Sequence, residues 1–110
     1  MKATDTFRHP AYRHNCAQAI ANKWKYCYAD KNIMETYKPY VGGRAPEGYC
    51  GAIFAAMQAC PEAAEKIKEE FVNLAGSAIC REIKSANSFS CHQCVDLADS
   101  LLEKYCHKSE

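Results

Sequence analysis

Apolar residues recur along this chain at the three- and four-residue spacing of α-helices, and the pattern is clearest near the C-terminal end. A helical stripe is formed there by Cys91, Cys94, Val95, Ala98, Leu101, Leu102 and Tyr105. Ser88 or Ser90 is placed to cap the helix that carries this stripe. The stripe predicts an amphipathic helix that turns both cysteines of the CHQC motif towards the core.

The N-terminal half shows the same periodicity in shorter segments. A first helix is predicted from Ala11 to Tyr28, with an apolar face formed by Cys16, Ile20, Trp24 and Cys27. A short helical element over Asn32 to Tyr37 stops before Pro39, because proline disfavours helical backbone in the residue that precedes it. A loop follows, marked by Gly42, Gly43, Pro46 and Gly48.

Three helical segments are predicted between this loop and the last helix. The second helix, from Tyr49 to Cys60, is slender because it carries small residues, namely Gly51, Ala52, Ala55, Ala56 and Ala59. A third helix begins at Pro61, ends near Gly76 and turns inward Ile67, Phe71 and Leu74. The SAICREI segment, Ser77 to Ile83, adds a short helical piece that carries Cys80.

No segment alternates apolar and polar residues with the period of two that is typical of β-strands. The sequence therefore predicts an all-α protein. A length of 110 residues fits one domain with one modest core. We expect a single-domain bundle of four to five helices over residues 1–110, in which 10–106 form the core between polar N- and C-terminal tails.

Charge and hydropathy exclude several classes of function. The net charge is +1 and no cluster of Lys and Arg is present, so binding to nucleic acid is not expected. The longest apolar run, CGAIFAAM, is too short to cross a membrane. The N-terminal segment MKATDTFRHPAYRHN lacks the apolar core of a signal peptide, which favours a cytoplasmic protein.

The unusual feature of the composition is its eight cysteines. In a secreted chain they would indicate a disulfide scaffold, but here long helices separate them and no export signal is recognised. Thiols that are kept reduced serve instead as metal ligands, redox groups or small buried apolar residues.

Cys50 is the most informative of the eight, because glycines precede it and a helix follows it. The unpaired N–H groups and the dipole at a helix N-terminus favour an anion, lower the pKa of a thiol and make it a better nucleophile or ligand. The alternative is a small residue chosen for packing.

Cys91 and Cys94 form a C-x-x-C motif whose members are neighbours on one face of a helix. This spacing suits a dithiol redox couple, two ligands of one metal ion, or two core residues. Attachment of haem is not expected, because Val95 rather than histidine follows Cys94.

The other cysteines and the histidines carry weaker signals. Cys16 and Cys80 on their own are as well explained by packing, and we expect only packing roles for Cys27, Cys60 and Cys106. Cys106 is predicted to lie in a frayed, polar C-terminus. The histidines show no metal-type pairing with one another, and His92 is predicted to point away from the two motif cysteines.

One ordered set of short motifs resembles a known family. The set is Asn15-Cys16-Ala17, Gly42-Gly43-Arg44, Cys50-Gly51-Ala52, Cys80-Arg81-Glu82, and then Cys91 or Cys94 before an amphipathic helix. It is similar to the C-GCAxxG-C-C family of small bacterial and archaeal proteins described as redox-active, over Asn15 to Leu102. Two positions depart from the family pattern: Tyr49 precedes Cys50, and Ala55 stands at the later glycine.

The resemblance implies cysteine-based redox chemistry in an all-helical domain, with a functional set made of Cys16, Cys50, Cys80 and Cys91 or Cys94. An iron–sulfur cluster is associated with longer relatives. Two mechanisms fit this set. In one, Cys50 attacks an oxidised sulfur and a second cysteine, from Cys91 and Cys94, resolves the intermediate. In the other, thiolates from Cys16, Cys50, Cys80, Cys91 and Cys94 hold an iron–sulfur centre, or zinc in a structural site.

A third interpretation comes from a different class: a non-catalytic helical bundle that binds a partner. Its marker would be an exposed apolar stripe, and the sequence shows none. Neither substrate nor redox partner is indicated by the residues, while the alanine-lined second helix allows a homodimer. The sequence thus predicts a redox-active protein, and an oxidoreductase activity stays open.

Overall fold

The computed structural model describes residues 3–5, 7, 13–40, 45–86 and 90–106. Six α-helices occur in these residues: α1 Cys16–Lys23, α2 Ile33–Thr36, α3 Gly51–Ala59, α4 Ala64–Ala75, α5 Cys80–Ala86 and α6 Cys91–Tyr105. Short 3-10 turns span Ala3–Asp5, Lys25–Cys27, Pro46–Gly48 and Pro61–Ala63. These ranges contain isolated β-bridges but no strand, which confirms the predicted all-α class.

Helices α1, α3 and α6 pack on one another and form the centre of the bundle, while α4 covers α3 and α6. Their contact surfaces are fully buried and include Ile20, Ile53, Phe71 and Leu102. The alanines of α3 have no exposed surface, so this slender helix lies deepest, as its composition predicted. No helix in the described part of the chain has the length and apolar character needed to cross a membrane.

The first helix is shorter than predicted at both ends. It begins at Cys16 behind a capping box, in which Asn15 accepts from the N–H of Gln18 and Gln18 accepts from that of Asn15. The α-helix ends at Lys23 and tightens into the 3-10 turn Lys25–Cys27, whose bonds span three residues. Positions 11 and 12 of the predicted helix lie outside the described residues.

The third predicted helix contains one error. Its first turn, Pro61–Ala63, is 3-10, and the α-helix then runs to Ala75 with Gly76 at φ 90° beyond it. Leu74 was predicted to face inward, but it is 64% exposed. The buried stripe consists of Ile67, Phe71 and Ala75, and a repeat of four residues advances about 40° around the helix at each step. Towards the C-terminal end the stripe therefore moves away from Leu74.

Two other predictions meet the limits of the described residues. Of the predicted glycine loop, 41–44 lie outside them, and the remainder is the 3-10 turn Pro46–Gly48, in which Gly48 has φ 77°. Of the two serines proposed to cap the last helix, Ser88 lies outside, and Ser90 is the cap: it accepts from the N–H of Gln93 at 3.1 Å.

Candidate thiol site

Four helices of the bundle begin at a cysteine. Cys16, Cys80 and Cys91 are the first residues of α1, α5 and α6, and Cys50 is the N-cap of α3. Cys94 lies one turn further along α6, on the same face as Cys91. The positive ends of four helix dipoles are therefore each marked by a sulfur.

These sulfurs lie close enough together to interact. Cys16 interacts directly with Cys91, and Cys50 with Cys94. Cys50 and Cys94 also interact electrostatically with Cys16, and Cys80 interacts electrostatically with Cys94. We call this group the five-thiol cluster: Cys16, Cys50, Cys80, Cys91 and Cys94. The structure thus brings together all five residues that the sequence singled out.

Cys80 reaches the cluster through a short backbone pairing. Tyr49 and Ile79 form an isolated antiparallel bridge, and the N–H of Cys50 donates to the carbonyl of Ala78 at 2.8 Å. The segment before α5 is thereby aligned with the segment before α3, so Cys80 starts its helix beside Cys50. A backbone pairing this short leaves no periodic pattern of apolar residues in the sequence. Only the order of the motifs indicated that Cys80 belongs with Cys50.

Cys16 reaches the cluster because α1 and α3 approach closely at Gly51. A Cβ atom on Gly51 would lie 3.1 Å from the backbone N of Ala17 and 3.2 Å from the carbonyl O of Tyr40. Both distances are shorter than ordinary van der Waals contact, so only glycine fits without a shift of backbone. Gly51 is the next residue after Cys50, and Ala17 the next after Cys16, so the contact sets the spacing of the two sulfurs.

We expect Gly51→Ala to destabilise the fold by about 1–3 kcal/mol, because the added methyl group meets backbone atoms that cannot rotate away. The same shift should separate α1 from α3 and alter the titration of the cluster. Urea unfolding and the ultraviolet absorbance of thiolate against pH measure the two effects.

Gly48→Ala is the matched control for this substitution. Its positive φ makes alanine unfavourable there, but an added Cβ would have no contact shorter than 3.8 Å. Stability should fall while the thiolate titration stays unchanged. If Gly51→Ala gave a wild-type titration curve, the contact would not set the spacing of the sulfurs.

The thiols of the cluster differ in their electrostatic environments. Hydrogen bonding from Cys94 lowers the pKa of Cys50 against the opposing effect of burial, with smaller help from the N–H groups of Ile53 and Ala52. Neither N–H forms a capping hydrogen bond of full geometry with the sulfur. The partner Cys94 has its pKa raised, first by this same hydrogen bond and then by burial. Of the two thiols, Cys50 is therefore the one that loses its proton more readily.

Cys16 stays protonated, because its hydrogen bond with Cys91, followed by burial and the neighbouring thiols, raises its pKa. The pKa of Cys50 shifts in the predicted direction, but the largest cause is the hydrogen bond with Cys94 and not the helix N-terminus. The place of Cys50 at a helix N-terminus is confirmed.

The cluster has an inner and an outer part. Cys50 is 4% exposed and Cys94 is 3% exposed, whereas Cys16, Cys80 and Cys91 are half-buried. Both cysteines of the CHQC motif were predicted to face the core, but only Cys94 is fully buried. Cys91 occupies the first position of α6, where no preceding turn covers it. His92 is exposed, as expected.

The remaining cysteines form a second group that sequence reasoning missed. The sulfurs of Cys27 and Cys106 are 3.8 Å apart, and Cys60 interacts with Cys106. Cys106 is only 5% exposed, so the prediction of a frayed end is wrong for this residue. We call Cys27, Cys60 and Cys106 the three-thiol cluster. No disulfide links any of the eight cysteines, all of which lie in the described residues.

The donor set of the five-thiol cluster suits soft metals, since iron–sulfur centres and structural zinc both use four thiolates. The arrangement of the five thiols differs from that of such a metal site. Among the described residues, no three side chains of His, Cys, Asp or Glu are placed as ligands of one metal ion.

Comparison with known proteins identifies no relative of this chain. No family model, no curated protein and no solved structure matches this chain. The resemblance to the C-GCAxxG-C-C family thus rests on the ordered motifs alone.

Proposed function

We propose that this protein is a thiol–disulfide redox protein that acts through the five-thiol cluster. The observation that carries the proposal is the pairing of Cys50, whose pKa is lowered, with Cys94, whose pKa is raised, at converging helix N-termini. A buried thiolate beside a protonated thiol is the arrangement that a resolving nucleophile needs. The substrate class is a disulfide that can reach the half-buried outer thiols.

The burial of Cys50 assigns the first contact with substrate to another thiol. Cys91 is half-buried and interacts electrostatically with Cys50. It is therefore the outer thiol that reacts together with Cys50. Cys91 loses its proton to solvent and attacks the disulfide RSSR, which releases one RS⁻ and leaves a mixed disulfide between the second RS group and the Cys91 sulfur. The Cys50 thiolate then attacks the Cys91 sulfur and releases the second RS⁻. Both RS⁻ ions take protons from solvent, and two electrons pass from Cys50 and Cys91 to the substrate.

Metal binding is the second candidate, and one observation favours it. A dithiol exchange uses two or three sulfurs, whereas five thiols gather here at four helix N-termini that favour negative charge. An iron–sulfur centre would make this an electron-transfer protein, and zinc would make the site structural. The redox partner in either case is not indicated by the residues.

The partner-binding bundle has less support. Among the described residues, the exposed large apolar side chains are Tyr26 and Leu74, at 40% and 64%. Two separate residues do not form the apolar stripe that such a bundle would present.

Anaerobic purification with analysis of iron, zinc and sulfide distinguishes these candidates. We expect a colourless, metal-free protein in which one thiolate titrates below the ordinary thiol pKa of 9.0 and disappears in Cys50→Ser. Brown protein that contains iron and sulfide would indicate electron transfer in place of thiol–disulfide exchange. One zinc ion per protein molecule would indicate a structural site. Metal-free protein in which every thiol titrates normally would overturn the proposal.

A further inference from the structure

The three-thiol cluster lies at the opposite end of the helices that form the five-thiol cluster. Cys27 ends the 3-10 turn that follows α1, Cys60 is the C-cap of α3 and Cys106 is the C-cap of α6. These three helices therefore run side by side in the same direction. Between the clusters α3 spans about 14 Å and α6 about 22 Å, so sulfurs of one cluster cannot exchange directly with those of the other.

We propose that Cys27 and Cys106 form a second thiol–disulfide site, which low-molecular-weight disulfides oxidise to a bond between the end of α1 and the end of α6. Their sulfurs are 3.8 Å apart, so formation of a disulfide of about 2.05 Å requires them to approach by less than 2 Å. This assignment is independent of the function proposed for the five-thiol cluster.

The backbone at both cysteines allows this approach. Cys27 stands at the last position of a 3-10 turn, and Cys106 has the extended dihedral angles φ −97° and ψ 106° beyond α6. Neither residue lies in the interior of an α-helix, where a change of backbone would disrupt several hydrogen bonds. A side-chain rotation with a small backbone shift therefore brings the sulfurs together.

Exposure sets the order of events. Cys27 is half-buried, whereas Cys106 and Cys60 are 5% and 0% exposed. Cys27 loses a proton to solvent and attacks the disulfide RSSR, which releases one RS⁻ and leaves a mixed disulfide between the second RS group and the Cys27 sulfur. Cys106 then loses its proton, attacks the Cys27 sulfur and releases the second RS⁻. The protein gives up two electrons, and the two RS⁻ ions become two RSH.

Cys60 is the third thiol of this site but not its first nucleophile. Its Sγ donates to the carboxylate of Glu62 at 3.5 Å. Burial, together with Cys106 and Glu62, raises the pKa of Cys60 to about 12, so the thiol stays protonated at neutral pH. The C-terminal ends of helices also disfavour a thiolate. We therefore expect this site to react more slowly than the five-thiol cluster.

Oxidised glutathione is the test reagent, applied to the full-length protein in the presence of a chelator and quenched with acid. Trypsin releases Cys27 within Tyr26–Lys31 and Cys106 within Tyr105–Lys108, each with one cysteine, so a single cross-linked peptide reports the bond. We expect this peptide from the wild type, and with it a rise in the unfolding temperature of roughly 10 °C or more, because the bond closes most of the chain into a loop.

Two variants sharpen the test. Cys106→Ser should leave glutathione attached to Cys27, and Cys60→Ser should still give the Cys27–Cys106 peptide. The wild-type digest needs no variant, so failure of one to fold would not affect the result. The assignment is overturned if Cys27 and Cys106 stay reduced after prolonged treatment with excess oxidised glutathione, whether or not the five-thiol cluster reacts, or if Cys60 takes the place of Cys27. The assignment would also be replaced by a metal site if the protein, before the chelator is added, held one zinc ion that kept all three thiols from reacting with oxidised glutathione.

Discussion

Replacing Cys50 with serine should stop thiol–disulfide exchange after its first step and leave the substrate attached to Cys91. Serine cannot form a disulfide, and the other inner thiol, Cys94, stays buried in this variant, which raises its pKa even without the Cys50 thiol and makes it a poor nucleophile at neutral pH. We expect release of the second thiol to slow by a factor of about 100 or more. Mass spectrometry of acid-quenched samples measures how much Cys91 carries glutathione after reaction with its disulfide.

Two further variants complete this experiment. Cys91→Ser removes the outer thiol, so glutathione should not accumulate on α6. Cys60→Ser is the matched control, since Cys60 is as deeply buried as Cys50 but belongs to the other cluster. It should behave as the wild type does at the five-thiol cluster. Cys50→Ser can also be compared with the wild type by its rate of disulfide formation. If it formed a Cys91–Cys94 disulfide as fast as the wild type forms its own disulfide, Cys94 rather than Cys50 would be the resolving thiol.

The lowered pKa of Cys50 also links stability to pH. A thiol whose pKa is depressed in the folded state stabilises that state above the unfolded pKa, and this contribution is lost as pH falls through the folded pKa. The free energy of unfolding of the wild type, relative to Cys50→Ser, should therefore rise with pH up to about 9 and then level off. A constant difference between pH 6 and pH 9 would contradict the direction of the shift.

Cys50 and the CHQC cysteines could be selected from the sequence because local signals mark helix N-termini, whereas Cys16 and Cys80 were indicated only by the order of motifs in the family resemblance. Glycine and proline before Cys50, and serine before the CHQC motif, indicate where α3 and α6 begin. Such signals do not say which helix ends meet. That depends on the packing of α1 and α3 with α6, and here also on the contact at Gly51 and the bridge at Ile79.

The three-thiol cluster could not be predicted, because nothing local distinguishes a cysteine at the end of a helix from a packing residue. Cys60 before a proline and Cys106 in a polar tail each had an ordinary explanation. Once α1, α3 and α6 are known to run in the same direction, the cysteines at their C-terminal ends must lie together because those at their N-terminal ends do. The missing information was helix direction, which is a tertiary property.

Parallel packing of three helices has an electrostatic consequence. It places like ends of three helix dipoles together, which is unfavourable unless charge at those ends offsets it. A thiolate at the N-terminal ends provides negative charge where the dipoles are positive. At the C-terminal ends, where the dipoles are negative, the pKa of the Cys60 thiol is raised to about 12, first by burial. Cys50, whose pKa is lowered, and Cys60, whose pKa is raised, thus lie at opposite ends of the same helix α3.

The second large effect is expected from Asp99, the buried charge that joins α6 to the N-terminal part of the chain. Asp99 is 4% exposed and accepts from Trp24 Nε1 at 2.8 Å, from the N–H of Ala3 at 3.0 Å and from Lys23 Nζ at 2.9 Å. Asp99→Ala removes the acceptor for all three donors. Because loss of one partner leaves buried polar groups unsatisfied, unfolding should require about 3–5 kcal/mol less free energy. Urea denaturation measures this difference.

Glu103→Ala is the matched control, because Glu103 pairs with the same Lys23 at 2.7 Å but its side chain is 60% exposed. An exposed ion pair contributes little, so this variant should cost less than about 1 kcal/mol. Asp99→Asn separates charge from hydrogen bonding: its amide oxygen can still accept from Trp24, while Lys23 loses its buried counter-ion. We expect Asn to be intermediate between Asp and Ala. Equal costs for Asp99→Ala and Glu103→Ala would mean that burial of the Asp99 network adds nothing to its strength.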